Sequence, residues 1–220
     1  MPGDKDYRNS EYCPDLAEIS MKKENLEKEI RKNYPRTKIL YNKIKNRDSE
    51  FHKKFAHIYN KKCAYCGAMC GLLPIESFEV DHFLNEASFL DTTEGRIEAG
   101  KLENLVWSCI SCNRGKQGIT IEDPYDKLLN VDNGNISKIF VRDDSFYIKI
   151  NDTYKNDEFI KKFYNALHLG YETRRLDYLE LQLEGAYREE KDEERKKVLG
   201  KALSVLMKNR NTMTVKGRTL

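Results

Sequence analysis

Two pairs of cysteines have the spacing of metal ligands. They are Cys63-Ala64-Tyr65-Cys66 and Cys109-Ile110-Ser111-Cys112, separated by a long insert. Four thiolates bind Zn²⁺ in a closed tetrahedral site, which is structural because it keeps no open position for substrate. In a reducing compartment such pairs bind metal more often than they form disulfides. We therefore expect one structural zinc ion, held by Cys63, Cys66, Cys109 and Cys112.

Polar residues suited to phosphodiester hydrolysis lie inside the insert and directly after the last cysteine. Hydrolysis needs a base for water, a cation on the leaving oxygen and charge relief on the phosphate. His82 can be the base, because imidazole titrates near neutral pH. Asp81 and Asn113 offer the oxygen ligands that Mg²⁺ prefers. Lys116, about one helical turn after Asn113, can meet the phosphate, so the set predicts a second, catalytic metal and cleavage of nucleic acid.

Each of these residues also has an ordinary structural interpretation. Adjacent side chains on a strand point to opposite faces, so Asp81 and His82 share a site only at an irregular strand end or from two sides of the phosphate. An asparagine that follows a cysteine can simply cap a helix. Arg114 and Lys101 are weaker candidates for contacts with the nucleic-acid backbone. It is the ordered combination that favours catalysis.

Composition and charge narrow the class of protein. The chain has 220 residues, 34% of them charged and 39% hydrophobic, with a net charge of +3. This length suits one or two domains. No apolar run reaches the ~20 residues that a membrane span needs, and the first residues lack a signal-peptide pattern. We therefore expect a cytoplasmic protein with no membrane partner.

A basic stretch runs into the first cysteine pair. Residues 31–62 contain eleven Lys or Arg and only two acids, Asp48 and Glu50. A phosphate backbone attracts such a stretch, although a solvated helix face in a lysine-rich protein has the same composition. Its position beside the candidate site favours nucleic acid as a partner, with DNA as the expected substrate.

Hydrophobic spacing predicts the elements that must position the site. Residues 1–14 are polar and contain proline and glycine, which predicts a loose arm. Apolar residues at three- and four-residue spacing predict helices over 15–34 and within 39–58. Strand-like pieces surround Phe78-Glu79-Val80, and a helix is expected to start near Cys112. The fold class is therefore α+β.

The remaining residues predict a small hairpin followed by helices. β-prone runs over 136–142 and 145–150 flank a turn. Helical patterns cover 157–169 and the chain from 173 onward. Their apolar stripes exceed what one long helix can bury alone. We favour packing on the N-terminal helices into one core; the alternative is a surface for a partner, including a homodimer.

The motif region resembles the HNH endonuclease superfamily, whose catalytic core is a ββα-metal fold. The matching pieces are Cys63-Ala64-Tyr65-Cys66-Gly67, Val80-Asp81-His82-Phe83, Glu103-Asn104-Leu105-Val106 and Cys109-Ile110-Ser111-Cys112-Asn113-Arg114-Gly115-Lys116. The resemblance implies that His82 is the general base and that Lys116 faces the scissile phosphate. It implies that Asp81 and Asn113 bind one divalent cation, Mg²⁺ or Mn²⁺, with Asn113 replacing the family's final His in an HNN variant. Asn104 would hold the catalytic loop by hydrogen bonds.

With this resemblance the chain divides into three parts. Residues 1–54 are an arm with basic helices. Residues 55–126 are expected to be the HNH nuclease core with its four-cysteine zinc site. Residues 127–220 are a small β-hairpin with a helical C-terminal region.

A narrower resemblance extends beyond the core. The core is followed by Asp123-Pro124-Tyr125-Asp126, a hairpin, and Leu167-His168-Leu169-Gly170 before Arg174-Arg175-Leu176. This order is similar to PtuB, the nuclease subunit of Septu-type bacterial anti-phage defence systems. The resemblance implies a complex with an ABC-type ATPase of the PtuA kind. The chain has no Gly-rich phosphate loop of its own, so ATP dependence would come from that partner.

Two other functions remain consistent with the sequence. One is a non-catalytic zinc module that binds nucleic acid or protein, for which the basic stretch and the four cysteines suffice. The other is an RNase on the same scaffold. The discriminating residues are Asp81, His82, Asn113 and Lys116, which a pure binding module does not need.

Overall fold

Helices and two small antiparallel sheets form the computed structural model, which describes residues 6–216, with side chains to residue 212. The described helices are α1 (Ile19–Asn33), α2 (Tyr41–Ile44), α3 (Glu50–Ile58), α4 (Thr93–Ala99), α5 (Ile110–Lys116), α6 (Tyr125–Leu128), α7 (Ile136–Ile139), α8 (Glu158–Ala166), α9 (Glu172–Glu189) and α10 (Glu193–Lys216). The described strands are β1 (Phe78–His82), β2 (Leu105–Cys109), β3 (Phe140–Arg142) and β4 (Ile148–Ile150). The mixture agrees with the predicted α+β class. Among the described helices, none combines the length and apolar character that a membrane crossing needs.

The candidate site is built on β1, β2 and α5. β1 and β2 pair antiparallel, with Val80 opposite Trp107 and His82 opposite Leu105. The Trp107 ring stacks on Phe78 of the partner strand, with centroids 5.8 Å apart. α5 follows β2 without a loop and packs against both strands. The sheet therefore fixes the position of α5 and the points from which its side chains project.

Gly115 allows α5 to lie directly on the end of α8. A Cβ atom at this position would stand 2.0 Å from the backbone oxygen of Ala166. No real Cβ tolerates such a contact with backbone, so a larger residue would push the two helices apart. The Cys112-to-Lys116 segment is thus held from the sheet on one side and from α8 on the other.

The N-terminal segment differs from the predicted loose arm. The side chains of Tyr7 and Arg8 are buried, at 2% and 3% exposure. Tyr7 donates a hydrogen bond to the backbone oxygen of Tyr65, and Arg8 donates to that of Ala64 at 2.6 Å. The segment is ordered because it satisfies buried carbonyl groups of the cysteine loop, a non-local contact that polarity alone does not reveal. The first five residues of the predicted arm lie outside the described residues.

The predicted hairpin is present but shorter than expected. β3 pairs with β4 antiparallel, from Phe140 opposite Ile150 to Arg142 opposite Ile148. The preceding residues form α7 instead of extending the strand. Ile136 and Ile139 are both buried, and their three-residue spacing places both on one helix face.

The C-terminal helices form an antiparallel hairpin of their own. Arg210 of α10 lies 2.6 Å from the carboxylate of Asp177 on α9. α10 packs mainly against α9 and leaves Val198 and Val205 exposed, at 66% and 60%. The favoured expectation of one core that covers all the C-terminal stripes is therefore wrong for α10. Periodicity locates an apolar stripe but does not say which element covers it.

Candidate metal centre and catalytic site

The four cysteines of the two Cys-x-x-Cys pairs form one buried cluster. Their sulfur atoms all lie within 4.8 Å of one another, and none is in a disulfide. The sulfurs of Cys66 and Cys109 are 3.9 Å apart. A tetrahedral zinc with Zn–S bonds of about 2.3 Å separates its sulfurs by about 3.8 Å. The prediction that these residues gather into a group able to hold a metal ion such as zinc is confirmed: Cys63, Cys66, Cys109 and Cys112.

Local backbone structure positions both halves of the cluster. The first pair lies in a loop whose Ala64 N–H donates to the carbonyl of Trp107 in β2 at 2.8 Å. Gly67 closes this loop at φ +76°, and a Cβ there would lie 2.7 Å from the Arg8 carbonyl oxygen. Both the positive φ and the close approach of the Arg8 carbonyl require a residue without a Cβ atom. Cys109 ends β2 and Cys112 lies in the first turn of α5. The strand-to-helix junction therefore fixes the relative positions of the two cysteines in the second pair.

The electrostatics of the cluster favour a bound cation. Hydrogen bonds from the other three cysteines, led by Cys112, lower the pKa of Cys109. Burial raises the pKa of Cys63 well above its ordinary value. Closely packed sulfurs in a dry site cannot all ionise without a positive charge among them, and a divalent metal supplies that charge.

Asp81 of β1 is buried and already has a partner on each carboxylate oxygen. Tyr65, from the cysteine loop, donates its hydroxyl to Oδ2 at 2.7 Å. The ammonium of Lys116 lies 3.4 Å from Oδ1. Burial raises the pKa of Asp81 to about 6, against the opposing charge of Lys116 and the hydrogen bond from Tyr65. The carboxylate is therefore an internal group in this structure.

Lys116 lies elsewhere than the predicted position facing a phosphate. Its ammonium is buried, at 1% exposure, and donates to the carbonyl of His82 at 2.6 Å and to that of Phe83 at 3.2 Å. It also donates to Oδ1 of Asn85 at 3.1 Å. The side chain runs inward from α5 to these acceptors at the end of β1. Lys116 thus ties α5 to the turn after His82.

Asn113 is placed over β1 by a residue that sequence inspection missed. Its amide nitrogen donates to Oε1 of Glu79 at 2.8 Å, whereas Asp81 was the expected neighbour. Glu79 stands two residues before Asp81, so both side chains leave the same face of the strand. Counting alternate positions back from Asp81 would have found Glu79.

The candidate oxygen and nitrogen ligands are not gathered as closely as the four sulfur atoms. Across residues 6–216, the four cysteines are the one group of three or more Cys, His, Asp or Glu side chains gathered closely enough to bind a metal ion. Glu79 and Asp81 share a strand face with Asn113 above them, and His82 leaves the other face. Asn113 contacts Glu79, while the Asp81 carboxylate contacts Tyr65 and Lys116.

His82 ends β1 with its ring beside an aromatic side chain. The ring centroids of His82 and Tyr41 are 4.5 Å apart and tilted by 54°. Burial lowers the pKa of His82, and the carboxylate of Glu86 opposes that shift. A lowered pKa keeps the imidazole neutral near pH 7, the form that accepts a proton. Nothing in the sequence marked Tyr41, since it lies in a separate helix.

Asn104 holds the chain that follows His82. Its Oδ1 accepts from the Leu84 N–H at 2.8 Å, and its Nδ2 donates to the Leu84 carbonyl at 3.0 Å and the Ala99 carbonyl at 2.9 Å. Its own carbonyl accepts from the Phe83 N–H at 2.7 Å. Both amide N–H donors and the amide oxygen of this side chain thus bond the loop after β1 and the end of α4. Asn104 thus holds the loop after β1 in place by hydrogen bonds.

No protein-family model, curated protein or solved structure matches this chain. The HNH resemblance therefore stays a prediction from the sequence motifs.

One exposed lysine lies near Tyr41, the aromatic neighbour of His82. Lys45, at the end of α2, lies with its ammonium 5.6 Å from the Tyr41 ring, and Arg47 is exposed two residues later. Of the two weaker candidates, Arg114 is exposed on α5, while Lys101 pairs with Glu98 at 2.6 Å. Of these basic residues, Lys45 is the one that a described contact places near the ring neighbour of His82.

Proposed function

We propose that this protein is a metal-dependent HNH endonuclease that hydrolyses DNA phosphodiester bonds. The observation that carries the proposal is the junction of β1, β2 and α5. It puts His82 at a strand end, Asn104 behind the loop after it, and Asn113 on a helix that begins at a metal-binding cysteine cluster. On this proposal the three elements are the ββα-metal core, and the cysteines bind structural zinc.

The chain's own residues divide the chemistry between them. The neutral ring of His82 takes a proton from water, and the resulting hydroxide attacks phosphorus while the bond to the leaving oxygen breaks. A Mg²⁺ or Mn²⁺ held beside the phosphate would supply the positive charge that the phosphate and the leaving oxygen need. Asp81 and Asn113 are the residues proposed to hold that ion. Glu79 orients the amide of Asn113, and Lys116 holds Asp81 and the turn after His82.

A nucleic-acid substrate is supported by charge near the site. Most basic residues of the 31–62 stretch are exposed; Lys62 is a buried exception. The contact of Tyr41 with His82 brings the α2 part of this stretch to the proposed base. Exposed lysine and arginine beside a base attract a phosphate backbone and weaken binding as salt rises.

Plasmid cleavage tests the proposal. We expect purified full-length protein to nick or linearise DNA with Mg²⁺ or Mn²⁺ and to lose that activity in EDTA, because no other cation is available at the phosphate. Zinc content is measured on the same samples, so that loss of the structural ion is separated from loss of the catalytic one. Cleavage that persists in EDTA would contradict the metal-dependent mechanism, and cleavage of RNA in preference to DNA would identify an RNase.

A non-catalytic zinc module is the second candidate, because both oxygens of Asp81 already have partners. Such a module binds DNA tightly at low salt and cleaves it with neither Mg²⁺ nor Mn²⁺. The two assays, on one preparation, separate the candidates.

An ABC-type ATPase is the partner that we propose, within a bacterial anti-phage role. Support comes from the resemblance to PtuB and from the apolar face of α10, where Val198 and Val205 lie seven residues apart and are both exposed. We expect co-expressed PtuA-type ATPase to co-purify with the wild-type chain, and Val198→Glu with Val205→Glu to abolish the complex. A complex unaffected by the double variant would rule out this face. Light scattering of the chain alone tests for a homodimer.

A further inference from the structure

Three arginines lie near the sulfur cluster, but only one of them donates N–H groups to the sulfurs. Arg8, Arg142 and Arg174 line a small cavity beside Cys66. Arg8 donates to backbone carbonyls and to Asp6, and Arg142 donates to the carbonyls of two other segments. Arg174 alone of the three directs its N–H groups toward cysteine.

The contacts of Arg174 span both cysteines of the second pair. Its Nη1 lies 3.9 Å from Sγ of Cys109 and its Nη2 lies 3.4 Å from Sγ of Cys112. Nη2 also lies 3.1 Å from Oγ of Ser111 and 3.5 Å from the Leu167 carbonyl oxygen. The residue is 7% exposed, so water contributes little to its hydrogen bonding.

Charge explains why a buried cation belongs here. A divalent ion on four thiolates leaves a net charge of about −2 in a dry site. Burying that charge is costly unless a positive group lies nearby and donates hydrogen bonds. A guanidinium is suited to this, because it stays protonated and its planar fork reaches two acceptors at once.

We propose that Arg174 is an outer-sphere residue of the metal centre, donating N–H···S hydrogen bonds to Cys109 and Cys112, so that metal retention is coupled to the docking of α9. Within the described part of the chain, Arg174 is the one residue of α9 whose side chain contacts the sulfurs. The inference rests on a metal at the cysteine cluster and is independent of nuclease activity.

Arg174→Met tests the proposal against Arg175→Met. Arg175 is the neighbouring residue on α9 and carries the same charge, but it pairs with Glu172 and the Ser145 carbonyl. We expect Arg174→Met to release zinc to a chromogenic chelator about 10–100-fold more readily, the range for lost outer-sphere partners. Arg175→Met should release it at the wild-type rate. Equal rates in all three proteins, or equal acceleration in both variants, would overturn the proposal.

A spectroscopic readout separates hydrogen bonding to sulfur from general loosening. In Co²⁺-substituted protein, losing N–H···S bonds raises the energy of the sulfur lone pairs. The sulfur-to-cobalt charge-transfer band should therefore move to longer wavelength in Arg174→Met and stay in place in Arg175→Met. If Arg174→Met does not fold, Arg174→Lys decides, since an ammonium keeps the charge but does not bridge two sulfurs. An unchanged band and zinc-release rate in Arg174→Lys would refute the proposal.

Discussion

Replacing His82 with alanine is expected to lower DNA cleavage by about 10²–10⁴-fold, the usual contribution of a general base. The ring ends β1 and is half-buried against Tyr41, and none of the hydrogen bonds described for residues 6–216 involves its nitrogens. On the proposed function, one of those nitrogens accepts the proton of the attacking water. Initial cleavage rates at saturating Mg²⁺ measure the effect.

His57→Ala is the matched control for His82→Ala. His57 is an exposed histidine near the end of α3, so its loss should leave the cleavage rate unchanged. Both variants should keep zinc and a wild-type Tm, because neither side chain belongs to the cysteine cluster. Added imidazole should restore part of the activity of His82→Ala, since it supplies the missing base. Full activity of that variant without imidazole would show that another group deprotonates water.

Replacing Cys112 with serine is expected to remove the metal and weaken the whole site. A serine hydroxyl is a poor ligand for zinc, which prefers thiolate and imidazole. Structural zinc contributes about 10–16 kcal/mol in finger peptides that have no other core. This protein has a large core besides the cluster, so we expect a smaller loss, of about 3 kcal/mol. That loss corresponds to a fall in Tm of roughly 6–12 °C.

Cleavage should fall with the zinc content in Cys112→Ser. Asn113 directly follows Cys112 on α5, so the proposed cation ligand moves when the metal no longer anchors the helix. Cys13→Ser is the control, because Cys13 is a free, partly buried cysteine outside the cluster. Zinc per chain, Tm and cleavage rate are measured on both variants. A Cys112→Ser protein with one zinc per chain and wild-type Tm would contradict the assigned ligand set.

Removing zinc and removing the base have distinguishable signatures. His82→Ala is expected to lose activity at constant zinc content and Tm, while Cys112→Ser loses all three together. A result in which both variants lose zinc would place His82 in the structural core of the protein and leave the catalytic assignment without support.

Local patterns were enough to predict the cysteine cluster and most helices. Ligand spacing within each Cys-x-x-Cys pair involves only a few consecutive residues, so it is visible directly in the sequence. The helices over 15–34 and 157–169 appear as α1 and α8, because their apolar periodicity is also local. The α+β class followed from these elements together.

The partners of individual polar side chains depended on contacts between distant segments. Tyr65 comes from the cysteine loop to bond Asp81, and Glu79 of β1 takes the amide of Asn113. Lys116 is buried and donates to the carbonyls of His82 and Phe83. None of these pairings is encoded at a fixed sequence spacing, because each depends on how β1, β2 and α5 pack.

By itself, therefore, the sequence determined which residues are able to ligate metal, accept a proton or attract phosphate. Residue chemistry and short spacing carry that information. Only the tertiary structure decided which of these groups meet, which are buried, and that Arg174, from a helix far along the chain, reaches the sulfurs of Cys109 and Cys112. Burial and long-range packing set the energy of each polar group, and neither is a property of a short stretch of chain.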